Sequence, residues 1–206
     1  MNEHPQPVRL AIFASGQGSN AHEIIRYFRN GAHAVIGKHV EITLIVCNKP
    51  GAGVLDVASQ SGIPVCLIEK ENFFRGSHYL EEFSRHNISF IVLAGFLWKI
   101  PSALIQAFPD RMLNIHPALL PNYGGKGMYG KAVHEAVIAA GEKESGITIH
   151  YVDERYDHGR IFFQTNLTLS SDETPDSLAD KIHVLEHRHF PEQIARWLEC
   201  KLSLNP

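Results

Sequence analysis

Cysteine is scarce in this 206-residue chain. The three present, Cys47, Cys66 and Cys200, are odd in number and lack metal-ligand spacing, which excludes a disulfide framework and reads as reduced thiols in a cytoplasmic protein. Long apolar runs are missing too. The longest, Ile91 to Trp98, is far short of the roughly 18 residues a membrane span needs, and residues 1–7 are too polar for a signal peptide. No excess of positive charge exists either: the formal net charge is -3, so neither nucleic acid nor a membrane is an expected partner. Histidine, by contrast, is abundant at 13, with His183, His187 and His189 close together. No H-E-x-x-H or Cys/His pairing accompanies them, and no metal is expected.

What is present suits one α/β domain over residues 1–206, with residues 1–7 as a frayed arm. Apolar runs at 8–14, 40–47, 63–68, 88–94 and 112–116 read as strands, alternating with helical periodicity at 21–28, 53–60, 73–87 and 102–108. Such alternation predicts an open, mostly parallel Rossmann-like sheet with helices on both faces. A helix over 131–140 ends at Gly141. Residues 145–153 and 160–169 then read as an antiparallel hairpin near the C-terminal end. Thr174 as N-cap and Pro175 as first helical residue open a last helix reaching about residue 199.

Three stretches carry polar groups where a parallel sheet binds ligands, at the carboxyl ends of its strands. The first, S-G-Q-G-S-N at 15–20, joins strand to helix with two glycines, so Ser19 and Asn20 either cap the helix or hold a phosphate at its N-terminus. It is no P-loop, lacking Lys-Ser/Thr. Nor is it a dinucleotide fingerprint, since Ala21 and then Cys47 and Asn48 stand where that pattern needs a third glycine and an acid. The second, G-F-L-W-K-I-P at 95–101, is too apolar for an exposed loop and either tucks under a helix or lines a cleft. The third, N-I-H-P at 114–117, puts Asn114 and His116 on one side of a strand that Pro117 stops. With Asp157 from a later loop, these have the composition of a site for attack on a carbonyl: an amide to donate to an oxyanion, an imidazole and a carboxylate to move a proton. No serine or cysteine is placed as nucleophile, so the attacking group belongs to a substrate. Each polar residue taken singly is more readily a satisfied core or turn position than a site residue.

Together, S-G-Q-G-S-N, L-A-G-F, N-I-H-P-A-L-L-P, G-I-T-I-H-Y-V-D-E-R-Y-D-H-G and E-H-x-x-F-P closely resemble, in order from Val8 to Trp197, the glycinamide ribonucleotide formyltransferases of purine biosynthesis. The resemblance implies formyl transfer from 10-formyltetrahydrofolate to the amine of glycinamide ribonucleotide, with no metal. It implies a catalytic trio of Asn114, His116 and Asp157. Gly18, Ser19 and Asn20 would hold the substrate phosphate, with Glu186 on the ribonucleotide side. Leu97, Trp98, Ile100, Val152, Asp153 and Glu154 would form the pterin pocket. His150 matches a histidine near the active site, its role open. The chain departs from the pattern at Trp98, where arginine is usual, at His183, where lysine or glutamine is usual, and in the glycine-rich segment 124–130. Formyltetrahydrofolate hydrolase and methionyl-tRNA formyltransferase share the N-x-H core but carry an additional domain for which these 206 residues leave no room. A non-catalytic sugar-phosphate sensor is the alternative of another class, and oligomeric state is left open.

Overall fold

The computed structural model describes residues 7–31, 36, 39–75 and 77–202. The arm expected over residues 1–7 therefore lies, Pro7 aside, outside the described residues. In chain order the elements are β1 (Val8–Ala14), α1 (Ser19–Arg29), β2 (Val40–Cys47), α2 (Val54–Ser61), β3 (Val65–Leu67), α3 (Lys70–Phe74), α4 (His78–Arg85), β4 (Phe90–Leu93), α5 (Ser102–Ala107), β5 (Met112–His116), α6 (Lys131–Ala139), β6 (Glu144–Tyr151), β7 (Ile161–Thr168) and α7 (Pro175–Leu202).

The strands form one seven-stranded sheet in the order β3-β2-β1-β4-β5-β6-β7. The first five run parallel, and β6 and β7 pair antiparallel at one side. The chain winds outward from β1 to β3, then returns to place β4 on the other side of β1. That reversal opens a crevice beyond the carboxyl ends of β1 and β4, where open α/β sheets take their ligands.

Two apolar layers explain why β1, β2 and β4 read as mainly apolar runs. On one face Leu10, Ile12, Ile45, Leu113, Ile115 and Ile149 pack with Ile24 of α1, Val54 of α2 and Leu178, Ile194 and Trp197 of α7. On the other Phe13, Val46, Ile91 and Met112 pack with Phe73 of α3, Phe83 of α4 and Leu104 of α5. Asn114 lies two residues beyond Met112, hence on this second face. There the cover comes from chain connections instead of a helix, so polar side chains on β5 meet polar loops.

Several boundaries differ from the sequence reading. The helix expected over 73–87 is two, α3 and α4, in keeping with the low helix propensity of the intervening glycine and serine in the sequence. Phe74, at the end of α3, is 45% exposed. The third strand shrinks from 63–68 to three residues at the sheet edge, a length that limits edge-to-edge pairing. α1 begins at Ser19, two residues early. The last helix, α7, runs through Pro191 as expected and ends at Leu202 instead of about residue 199. Its start is as expected: the Ser177 amide donates to Thr174 Oγ1 at 3.1 Å.

Candidate active site

Pleating of β5 puts Asn114 and His116 on one face at its carboxyl end, and antiparallel pairing sets His150 of β6 opposite Asn114. Asp157 comes from the β6–β7 connection, which folds back over the same strands. That return is tight. Asp157 adopts a left-handed φ of 53°, and a Cβ on Gly159 would fall 1.8 Å from the Tyr151 carbonyl oxygen. Asp157 Oδ2 accepts from the Gly125 amide at 2.9 Å and faces His116 Nδ1 at 3.6 Å. Its Oδ1 accepts from Asn114 Nδ2 at 3.4 Å and faces His150 Nε2 at 3.6 Å. The three residues expected to act together are thus brought together.

Burial, the largest influence, pushes the His116 imidazole below its usual range, against the Asp157 carboxylate and the Tyr123 carbonyl, which favour the cation. Burial also pushes Asp157 upward, but the neighbouring His150 and His116 rings and the Gly125 amide outweigh it and hold this carboxyl below its ordinary value. At neutral pH the pair is therefore a carboxylate beside a neutral imidazole, able to take up one proton and stabilise it. His116 Nε2 lies 2.8 Å from the Tyr123 carbonyl oxygen. A carbonyl only accepts, so Nε2 carries the proton and the lone pair sits on Nδ1, towards Asp157.

Across the carboxyl edge of the sheet lies the turn from β1 to α1. Gly18 has φ 82°, and a Cβ there would meet Val54 Cα at 2.7 Å, so only glycine lets α1 and α2 approach this closely. Neither Ser19 nor Asn20 caps α1, which removes that reading of the motif. Ser19 is exposed as the first helical residue, while Asn20 is turned inward. Its Nδ2 donates to Glu186 Oε2 at 2.9 Å, with the two residues 9% and 6% exposed. Burial raises the Glu186 carboxyl above its usual range, against the Asn20 hydrogen bond and the nearby His183. His183 is exposed, and its ring stacks parallel to His187 at 6.1 Å. Among the described residues no group of three or more His, Cys, Asp or Glu could hold a metal ion.

A cleft runs from this centre between the β4–α5 and β6–β7 connections. Asn114, His150 and Asp157 form its floor, and Phe96, Trp98, Ile100, Val152 and Tyr156 are among its walls. Trp98, Ile100, Val152 and Asp153 of the expected pocket line it. Leu97 and Glu154 do not: both are exposed, and the Leu97 amide is instead bound to Ser15 Oγ at 3.0 Å. The apolar loop thus does two things at once, since Phe96 and Trp98 also pack on Phe73, each with ring centroids 5.8 Å away. The cleft volume is about 50 Å³, well under the roughly 300–1,000 Å³ of ligand pockets.

Several contributors escaped the sequence reading: the Tyr123 carbonyl, the Gly125 amide and the bond between Asn114 and His150. Alternation puts Asn114 and His150 on strands, but only strand register makes them neighbours.

The formyl transferase family model matches residues 8–194. The chain is 39% identical over 207 residues to the chloroplastic phosphoribosylglycinamide formyltransferase of Arabidopsis thaliana, covering 98% of this chain and 69% of that protein. It is 33% identical to the phosphoribosylglycinamide formyltransferase of Bacillus subtilis, covering 92% of this chain and 94% of that one. The crystal structure of phosphoribosylglycinamide formyltransferase from Bacillus halodurans superposes with a TM-score of 0.82 at 34% identity, over 92% of this chain and 95% of the other. The chain, with its N-x-H strand end and its glycine turn in the family's order, belongs to the formyl transferase family, among the phosphoribosylglycinamide formyltransferases.

Proposed function

We propose that this chain transfers the formyl group of 10-formyltetrahydrofolate to the amine of glycinamide ribonucleotide, a step of purine biosynthesis. The observation that carries the reading is the meeting of Asn114, His116 and Asp157 at the floor of a cleft, with no serine or cysteine nucleophile in its lining. The substrate amine attacks the formyl carbon directly, and proximity of two bound reactants supplies much of the rate. As the C–N bond forms, charge gathers on the formyl oxygen, where an Asn114 N–H donates. His116 Nε2 is engaged by the Tyr123 carbonyl, so this bond yields when substrate arrives and the imidazole N–H turns to the reacting oxygen. Tightening of this kind on binding is common in catalytic hydrogen bonds. The proton released by the amine passes through the His116–Asp157 pair and ends on N10 of tetrahydrofolate as the donor C–N bond breaks.

Gly18 and Ser19, at the α1 N-terminus, receive the substrate phosphate, where free amides and the helix dipole favour an anion. Asn20 and Glu186 form the inner wall on the ribonucleotide side. Trp98, Ile100, Val152 and Asp153 hold the pterin. One domain carries both substrate sites, and the cytoplasm suits three free cysteines.

The test is to mix the protein with 10-formyltetrahydrofolate, with and without glycinamide ribonucleotide, and to follow loss of formyl. Amine-dependent loss, with formylglycinamide ribonucleotide as product, is the expected result. Loss without the amine makes the protein a hydrolase, and no loss in either case makes it a binding module.

A further inference from the structure

An asparagine side chain is nearly symmetric in shape, so which end faces a substrate is decided by hydrogen-bond partners alone. This choice matters at Asn114, because only its nitrogen end stabilises negative charge on a formyl oxygen. We infer that His150, with its proton on Nδ1 and a lone pair on Nε2, is the positioning residue that turns the Asn114 nitrogen towards the formyl group. The inference rests on the formyl-transfer reading above.

The geometry fixes the tautomer. His150 is 2% exposed, and its Nδ1 lies 2.8 Å from the Tyr151 carbonyl oxygen. That oxygen accepts only, so the ring proton is on Nδ1 and Nε2 presents a lone pair. The carbonyl is itself held in place, since the Gly159 backbone packs so closely that a Cβ there would lie 1.8 Å away. Nε2 is 2.9 Å from Asn114 Nδ2. The other neighbour of that nitrogen, Asp157 Oδ1, is at 3.4 Å, beyond the usual range of a good N–H···O bond. His150 is therefore the firm anchor and Asp157 the loose one. One N–H of Asn114 stays with His150 while the other is free to leave Asp157 for the substrate oxygen.

Protonation of His150 on Nε2 would set donor against donor and favour the flipped amide, presenting oxygen to a developing oxyanion. The charged and titratable groups around the ring are His116 from β5, Asp157 from the β6–β7 connection, and Lys99, Asp153 and Arg155 along the cleft. The carboxylate of Asp157 favours the same nitrogen-inward amide, so the two acceptors reinforce each other.

Two variants separate positioning from mere packing. In His150→Gln the side-chain oxygen can still accept from Asn114, and in His150→Phe nothing can. The expected result for His150→Phe is a fall in kcat of about 10–100-fold with both KM values little changed. His150→Gln should recover most of that loss. Equal losses in both variants, kcat of His150→Phe within about twofold of wild type, or a loss confined to the folate KM would each overturn the inference. The tautomer is read independently of any variant by the 15N shifts of the His150 ring in the wild-type protein: a protonated Nδ1 and bare Nε2 are expected, and an Nε2–H form overturns the proposal. Wild-type protein that transfers no formyl would instead defeat the functional reading, a different outcome from any of these.

Discussion

Removing the Asn114 amide deletes a hydrogen bond that matters most when charge develops on the formyl oxygen. Asn114→Ala is expected to lower kcat by about 10²–10³-fold while glycinamide ribonucleotide binding, measured by calorimetry, stays near wild type. Asn20 tests a different kind of residue. Its Nδ2 is bonded to the buried carboxyl of Glu186, so Asn20→Ala leaves that group without this donor and should cost about 1–3 kcal/mol in denaturant unfolding as well as substrate affinity. The sequence made Asn114, His116 and Asp157 legible as chemistry, because an amide and an imidazole at alternate positions of an otherwise apolar strand are uncommon. It left Asn20 ambiguous between cap, phosphate ligand and wall. Only the three-dimensional meeting with Glu186, 166 residues away, separates those roles.

At the scale of elements, the inner strands were legible because their apolar runs outweigh the few polar residues within them, Arg9 in β1 and Glu41 and Thr43 in β2: both strands fall on the residues that the apolar runs mark. Elements held by tertiary contacts were harder to read, as the division between α3 and α4 illustrates. Helix α7 tests how such contacts compensate for local cost. Pro191 lacks an amide to donate to the preceding turn, yet the helix continues on both sides of it, and the residues beyond it include the fully buried Trp197. That ring packs edge-on against Phe90 at 5.1 Å and Tyr151 at 6.4 Å. Trp197→Ala should destabilise the protein by about 3–5 kcal/mol. Trp197→Phe should cost much less, because it also removes a buried indole N–H that has no partner. At the β1–α1 turn, Gly18→Ala strains a left-handed residue and drives a Cβ into Val54. The expected result is a higher KM for glycinamide ribonucleotide, with the folate KM little changed.

For the whole molecule, the buried imidazoles predict how stability depends on pH. Burial, the largest influence, lowers both His116 and His134 from 6.5. The unfolded chain therefore binds more protons than the folded one as pH falls below about 6.5, and stability present at higher pH drains away through that window. Glu186, raised from 4.5 by burial, acts in the opposite sense, losing stability as pH rises above 4.5. Urea midpoints at pH 7.5 and 5.5 in a Glu186→Gln background isolate the histidine effect, and a lower midpoint at pH 5.5 is expected. The open sheet and its antiparallel end were legible from the order of elements, whereas the crevice position depended on strand order, which no single stretch of sequence encodes. At that crevice the Ser15 amide donates to the Gly95 carbonyl at 3.1 Å and its hydroxyl accepts from the Leu97 amide at 3.0 Å. The end of β1 and the loop beyond β4 are thereby locked together by one small residue. Ser15 acts as a gauge block: it keeps the end of β1 and the loop beyond β4 at one spacing, so the two sides of the crevice cannot drift apart independently.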